Sequence, residues 1–255
     1  MQSVYLGIDV ACASGKRLPI CVVSAAERCV PLVIPKLLAD LIPRGLGNRE
    51  ISSKEPFQEV ADQVATAIKH IMLEMDWRTE RIAIDAPAAP AEHTRKSEDE
   101  LCRCRLSCYR TPSTSAWQNI RRTCINHLSD GGSLSTLPHA NKIWMLFGFE
   151  LFSKFRHKFN VEVMETYPFA VVRTLLASRE HKTTEKGYRD QLGAVAERTN
   201  WEGECLESKL KLAVRGSRHD RLDAFMAAWI ASLPREKRRS FGNPEHFDDA
   251  IWVPR

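Results

Sequence analysis

The chain has 255 residues, of which 44% are apolar and 27% are charged, and its formal net charge is +5 at pH 7. This composition is typical of a globular protein and excludes a disordered or low-complexity chain. A chain of this length buries roughly three quarters of its unfolded surface. It can therefore form one large α/β domain over residues 1–255 without disulfides or a structural metal.

Apolar stretches and cysteine usage indicate the cellular compartment that we expect for this protein. The longest helical apolar stretch, residues 143–155, is interrupted by charged residues and is too short to cross a bilayer. The chain begins with a strand-like pattern, so we expect no export signal. Eight cysteines, three of them crowded at positions 102, 104 and 108, do not resemble a secreted disulfide framework. We therefore expect a cytoplasmic protein with no membrane partner.

The first part of the chain predicts four strands and one helix. Three short apolar segments with brief connections predict an antiparallel meander, and Pro31 places the third strand at an edge. A long segment with helical spacing and a short apolar strand follow, and a right-handed crossover would make that strand parallel to the first. The predicted strands are 4–10, 18–24, 28–34 and 81–85, and the helix is 56–75.

The second part of the chain predicts more helix. Residues 88–158 read as a helical insertion or lid that ends in an aromatic helix over 141–159, whose stripe indicates packing. Residues 233–255 read as a basic linker with a terminal edge strand. Between them we predict a fifth strand at 161–165 and helices at 169–178, 187–199 and 218–232.

Five carboxylates fall where a site could be built. Asp9, Asp85 and Glu165 end predicted strands, and the carboxyl ends of parallel strands share the edge at which open α/β sheets bind ligands. Asp220 and Asp223 are three residues apart, which places them on one face of the last long helix. If that face packs at the same edge, several carboxylates meet.

Crowded carboxylates repel one another and call for a cation. Their hard oxygen ligands suit Mg²⁺ or Mn²⁺. Two such ions, roughly 3.5–4 Å apart, can hold the attacking water and the leaving oxygen of a phosphodiester. We assign Asp9, Asp85 and Asp223 as metal ligands, with Asp220 or Glu165 completing the catalytic set.

Three of these carboxylates also have simpler interpretations. Asp85 precedes Ala-Pro and could form a turn, and Glu165 could lie on the surface at a strand end. Asp220 follows Ser217 by three residues, which is the spacing of a helix capping box.

Basic residues near these carboxylates are candidate phosphate contacts. The segment 95–122 contains Arg95, Arg121 and Arg122, and it leaves the sheet edge directly after Asp85. Lys16 and His219 are further candidates. A second basic run covers 235–239, and ordinary solvated surface is the alternative for both runs.

Four segments resemble the signatures of the domain-of-unknown-function family 429 (DUF429), whose members are described as predicted nucleases. They are GIDVA (7–11), AIDAP (83–87), METYP (164–168) and HDRLDAFMAAWIA (219–231). The last helix is similar to the closing helix of RuvC-like resolvases. The family often carries an R-x-C-acid pattern in its middle segment, and residues 100–105 match this pattern imperfectly.

The resemblance implies an RNase H-like fold, with a mixed five-stranded sheet of order 3-2-1-4-5. It also implies a metal-dependent nuclease acting on DNA or RNA. It places Asp9 on the first strand, Asp85 on the fourth and the Asp220/Asp223 pair on the last helix.

Three other functions stay open at this point. The first is an inactive RNase H-like module that binds nucleic acid or a protein. The second is an actin-like or kinase-like nucleotide-binding protein, which the single glycine at Gly15-Lys16 disfavours. The third is a zinc module built from Cys102, Cys104 and Cys108 with Cys124 and His127, although the spacing is not that of a standard zinc site.

Overall fold

A mixed β-sheet crosses the molecule. The computed structural model describes residues 1–10, 14–24, 29–47, 51, 55–90, 114–175, 180–245 and 250–255. The strands are β1 (Gln2–Asp9), β2 (Ile20–Ser24), β3 (Val30–Leu32), β4 (Trp77–Asp85), β5 (Glu162–Thr166), β6 (Arg238–Phe241) and β7 (Ile251–Pro254). They are arranged in the order β3-β2-β1-β4-β5-β7-β6. The β1–β4, β4–β5 and β5–β7 pairs are parallel, and the others are antiparallel.

Helices cover both faces of this sheet. Their bounds are α1 (Lys36–Ala39), α2 (Glu55–Glu74), α3 (Thr114–Ser129), α4 (Trp144–Lys158), α5 (Pro168–Thr174), α6 (Glu185–Arg198), α7 (Gly203–Ala213) and α8 (Arg218–Ser232). Helices α2 and α4 pack together in the apolar layer on one face, whereas α8 lies against β1, β2 and β4 on the other. None of the described helices combines the length and apolar composition needed to cross a membrane.

Alternation along β1 separates the two layers. Val4, Leu6 and Ile8 are fully buried in the core formed with α2 and α4. Gly7 points the other way, where an added Cβ would lie 2.1 Å from the backbone nitrogen of Ala228 on α8. Because glycine has no side chain, α8 can rest directly on the centre of the sheet.

The sheet has seven described strands, so the prediction of five was wrong. The order 3-2-1-4-5 is present as part of the larger sheet. Residues 250–253, which we predicted as an edge strand, contribute to β7, an interior strand between β5 and β6 with every residue buried. The edge strand on this side of the sheet is β6, which overlaps the basic run 235–239 in the sequence.

Arg238 explains why the basic run 235–239 is not simply solvated. Its side chain is 4% exposed, and its Nη2 donates to Glu162 Oε2 at 2.7 Å. Its guanidinium also lies 4.6 Å from the ring centroid of Trp252 on β7. The arginine therefore fastens the edge strand to its neighbours.

The aromatic stripe of α4 is buried, which confirms the interpretation that this helix packs. Phe147, Phe152 and Phe155 are each at most 2% exposed. The last part of the predicted 88–158 insertion thus belongs to the layer that covers the sheet.

Candidate metal centre

The register of the central strands brings Asp9 and Asp85 side by side. The two residues are Cα partners in the parallel β1–β4 ladder, at the carboxyl end of both strands. Partners in such a ladder project from the same face of a sheet. Two carboxylates therefore lie next to each other on the face that α8 covers.

Helix α8 supplies the third carboxylate. It begins with a capping box formed by Ser217 and Asp220, and the close contact at Gly7 fixes its distance from the sheet. Asp223, in the next turn, is 2% exposed. One carboxylate oxygen each from Asp9, Asp85 and Asp223 lies within 4.8 Å of the others.

The carboxylates of this cluster are desolvated and repel one another. Burial raises the pKa of Asp9 well above its usual value, and the charges of Asp223 and Asp85 raise it further. Burial also raises the pKa of Asp223 to about 6, although the nearby ammonium of Lys182 opposes this. Desolvation and like charges both disfavour ionised carboxylates. Additional positive charge would therefore stabilise the ionised form of the cluster.

Lys182 lies within this cluster, and no sequence pattern pointed to it. Its Nζ forms an ion pair with Asp223 Oδ2. Burial alone would lower the pKa of Lys182, but the carboxylates of Asp223, Asp9 and Asp85 hold it above its usual value. The attraction of Lys182 affects Asp9 less than the repulsion from either Asp223 or Asp85 does.

Asp220 lies beside the cluster and serves the helix. Its Oδ2 accepts from the backbone nitrogen of Ser217 at 3.0 Å, and its own nitrogen donates to Ser217 Oγ at 3.4 Å. Its charge nevertheless adds to the repulsion felt by Asp9 and Asp223. The structure therefore gives Asp220 a capping role next to the cluster.

Glu165 does not join the cluster. It is paired in register with Ile84, and by alternation it shares the face of Ile84 and Val163, opposite α8. Its Oε2 accepts from the backbone nitrogen of Ala88 at 2.9 Å, and the residue is 1% exposed. This carboxylate thus contacts the segment that follows β4 on the other side of the sheet.

The predicted phosphate contacts lie in different surroundings. Lys16 is exposed. His219 packs edge-on against Tyr188 at 5.8 Å, and burial together with Arg218 lowers its pKa. Arg121 Nε donates to the backbone oxygen of Ile51 at 2.9 Å.

Arg122 is exposed and its Nη2 donates to Asn119 Oδ1 at 2.5 Å. Arg95 lies outside the described residues.

The hypothetical zinc ligands Cys102, Cys104 and Cys108 also lie outside the described residues. Of the two downstream candidates, Cys124 donates from Sγ to the oxygen of Pro138 at 2.9 Å. His127 Nε2 lies 3.2 Å from the oxygen of Ser133. Both side chains are therefore engaged with the turn that follows α3.

Comparison with known proteins identifies the family. A family model described as a protein of unknown function (DUF429) matches residues 7–246. No curated protein and no solved structure matched the chain. The match spans most of the sequence and includes all three carboxylates of the cluster, and the chain is a member of the DUF429 family.

Proposed function

We propose that this protein is an RNase H-like, metal-dependent nuclease that hydrolyses phosphodiester bonds of DNA or RNA. One observation carries the proposal. Three carboxylates, from two adjacent parallel strands and the helix packed on them, offer oxygens within 4.8 Å of one another. Such a cluster at the carboxyl end of a sheet lies where open α/β folds bind ligands.

The residues present fit a hard divalent cation. Asp9, Asp85 and Asp223 offer carboxylate oxygens, which Mg²⁺ and Mn²⁺ prefer. Burial and then repulsion from Asp223 and Asp85 raise the pKa of Asp9, and a bound cation would offset that repulsion. We infer that these three residues hold one or two ions. Bound there, the metal would activate water and stabilise the leaving oxygen.

The arrangement around the cluster supports the same proposal. An antiparallel meander, two further parallel strands and a closing helix on β1 agree with an RNase H-like core. The contact at Gly7 positions α8 and hence Asp223, while the capping box through Asp220 fixes where the helix begins. These residues would hold the cluster in one geometry and so prepare it for catalysis.

Substitution of Asp9 by asparagine tests the proposal. We expect Asp9→Asn to reduce cleavage of single- and double-stranded DNA and RNA in Mg²⁺ or Mn²⁺ to background, because one ligand charge is lost. Affinity for the same oligonucleotide at fixed salt should change by less than about threefold, since binding would come mainly from cations that contact phosphates. The exposed Asp130→Asn is the matched control and should cleave normally.

A second readout separates metal binding from chemistry. Titration calorimetry with Mn²⁺ should show binding to the wild type and to Asp130→Asn, and much weaker binding to Asp9→Asn. Full cleavage by Asp9→Asn would place the chemistry elsewhere in the molecule.

One contact favours a second candidate function. Lys182 is paired with Asp223 inside the cluster, and an internal cation of this kind could stabilise the carboxylates without metal. The protein would then be an inactive module that binds nucleic acid or another protein. The discriminating result is the Mn²⁺ titration of the wild type, because the inactive module would bind no ion at this cluster.

A further inference from the structure

A basic cavity opens beside the carboxylate cluster. It has a volume of about 290 Å³, and four of its lining residues are cationic. They are Lys16, Arg17, Arg44 and Arg215, and among the described residues the one carboxylate in the lining is Asp220. Three connecting segments of the chain meet here, so the concentration of positive charge is a product of the fold.

Backbone pairing holds two of these cations in place. Gly15 donates to the oxygen of Gly45 at 3.1 Å, and Gly45 donates to the oxygen of Lys16 at 2.7 Å. Arg44 Nη1 donates to the oxygen of Gly15 at 2.7 Å. Gly15 has a φ of +75°, which favours glycine at this turn. Lys16 and Arg44 are therefore presented by a paired backbone rather than by a loose end.

The other two cations share one carboxylate. Arg215 Nη1 lies 2.6 Å from Asp40 Oδ1, and Arg17 Nη2 lies 3.5 Å from the same oxygen. Within the part of the chain that the structure describes, neither Lys16 nor Arg44 forms an ion pair. The cavity therefore has an excess of positive charge.

Asp220 joins this cavity to the carboxylate cluster. It lines the cavity and stands one turn before Asp223 on the same face of α8, about 4.5 Å away along the helix axis. A ligand in the cavity would thus lie next to a metal ion or substrate group bound at the carboxylate cluster.

We propose that the cavity binds a backbone phosphate of the nucleic-acid strand whose neighbouring phosphodiester lies at the Asp9–Asp85–Asp223 cluster. This inference rests on the proposed function and assigns the substrate-positioning role to Lys16 and Arg44. Ammonium and guanidinium groups form strong charge-assisted hydrogen bonds to phosphate. Arg17 and Arg215, held by Asp40, supply the surrounding positive field.

The test measures binding and needs no cleavage. The proteins are the wild type, Lys16→Gln, the Lys16→Gln/Arg44→Gln pair and a control pair, Lys69→Gln/Lys209→Gln. The control removes two lysines outside the cavity, the exposed Lys69 and the half-buried Lys209. Affinity for a fluorescent single-stranded oligonucleotide is measured by anisotropy in EDTA over a series of salt concentrations.

Each phosphate contact contributes about −0.7 to the log–log salt slope on a single strand. We expect Lys16→Gln to flatten the slope by about 0.7 and the double variant by up to about 1.4, with no change in the control. No hydrogen bond within the described residues depends on the Lys16 side chain, so the single variant tests the idea even if loss of Arg44 loosens the turn. A slope equal to that of the control in both variants would overturn the proposal.

Three further outcomes separate the phosphate-binding cavity, the nuclease and a site for free phosphate. A flattened slope in a protein that cleaves nothing would support the phosphate-binding cavity and reject the nuclease. Cleavage with an unchanged slope would reject the cavity and leave the nuclease standing. Displacement of the oligonucleotide by inorganic phosphate at equal phosphate concentration would show a site for free phosphate and overturn the assignment to a strand.

Discussion

Two regions of the same sheet contain buried charge, and they handle it differently. At the β6–β7 edge, Arg238 has a carboxylate partner in Glu162 and an aromatic ring in Trp252. At the ends of β1 and β4, the charges around Asp9 repel it more strongly than Lys182 attracts it. Partners offset much of the desolvation cost of a buried charge, whereas crowded like charges stay costly unless a ligand offsets them. The carboxylate cluster, and not the β6–β7 edge, is therefore the candidate functional site.

The largest expected effect comes from a residue that has no charge. Gly7→Ala would place a Cβ 2.1 Å from Ala228 N and 2.2 Å from Ala224 O. Both atoms belong to the α8 backbone, so the helix must move or the strand must shift. We expect a loss of about 3 kcal/mol or more in the free energy of unfolding, measured with urea, together with weaker Mn²⁺ binding.

Gly193→Ala is the control for that experiment. Gly193 is in α6, and no atom of the described residues lies within 4 Å of the added Cβ. Its replacement should stabilise the protein by up to about 1 kcal/mol, because alanine favours helix. Equal effects of the two substitutions would contradict the close packing of α8 on β1.

The next largest effect is a pH dependence of stability that arises from the cluster. The pKa of Asp223 is raised from 3.8 to about 6. The folded metal-free protein therefore retains a proton that the unfolded chain releases. This stabilisation is complete below pH 3.8 and is lost as the pH rises through 6. The loss is at most about 3 kcal/mol for Asp223, and Asp9 shifts in the same direction.

Asp223→Asn isolates that dependence. Relative to the wild type, its free energy of unfolding in EDTA should increase between pH 4 and pH 7. Saturating Mg²⁺ should offset the destabilisation of the wild type at neutral pH. A difference that stays constant with pH would mean that Asp223 does not titrate in this range.

The same contrast explains what the sequence could reveal. Asp9 and Asp85 end apolar strands, and Asp223 follows a capping signal, so local patterns and a parallel register suffice to bring them together. Lys182 precedes α6 in a polar segment, and its approach to Asp223 depends on how that segment docks. Nothing local marks such a contact.

The sequence did not predict the burial of Arg238 or the face of the sheet on which Glu165 lies, and the two reasons are similar. The burial of Arg238 depends on Glu162 and Trp252, which are distant in sequence, so a basic run looked solvated. We predicted Glu165 at the end of a strand, as Asp85 is, but β5 continues to Thr166. Which face a strand-end residue occupies is set by the pairing of β5 with β4, and this places Glu165 with Ile84. A shift of one residue would have reversed the assignment.

A smaller effect should follow from replacing Arg238, which is paired with Glu162 and contacts Trp252. Arg238→Met keeps much of the apolar stem but loses the ion pair and the contact with Trp252. The side chain of Glu162 is 38% exposed, so its remaining charge is hydrated, and we expect a loss of about 2 kcal/mol in thermal or urea unfolding.

Arg239→Met provides the matched comparison on the same strand. Arg239 is exposed and lies 4.7 Å from the ring centroid of Phe241, so its loss should cost less than about 1 kcal/mol. Neither variant should change Mn²⁺ affinity, because both residues lie at the far edge of the sheet. A change in Mn²⁺ affinity would show that the β6–β7 edge influences the carboxylate cluster, although the structure separates the two regions.

The smallest predicted effect concerns Lys182, the cation that partly offsets the charge of the cluster. A divalent ion at Asp223 must displace its ammonium or bind beside it, and both are unfavourable. The lysine side chain is 38% exposed, and its flexible stem can move into solvent, which limits this cost. We expect Lys182→Met to raise Mn²⁺ affinity about tenfold in calorimetry, equivalent to about 1.4 kcal/mol. Lys186→Met, which removes a lysine paired with Asp190 on α6, should leave affinity unchanged. An unchanged or lower affinity in Lys182→Met would show that the ammonium and the metal do not compete at Asp223.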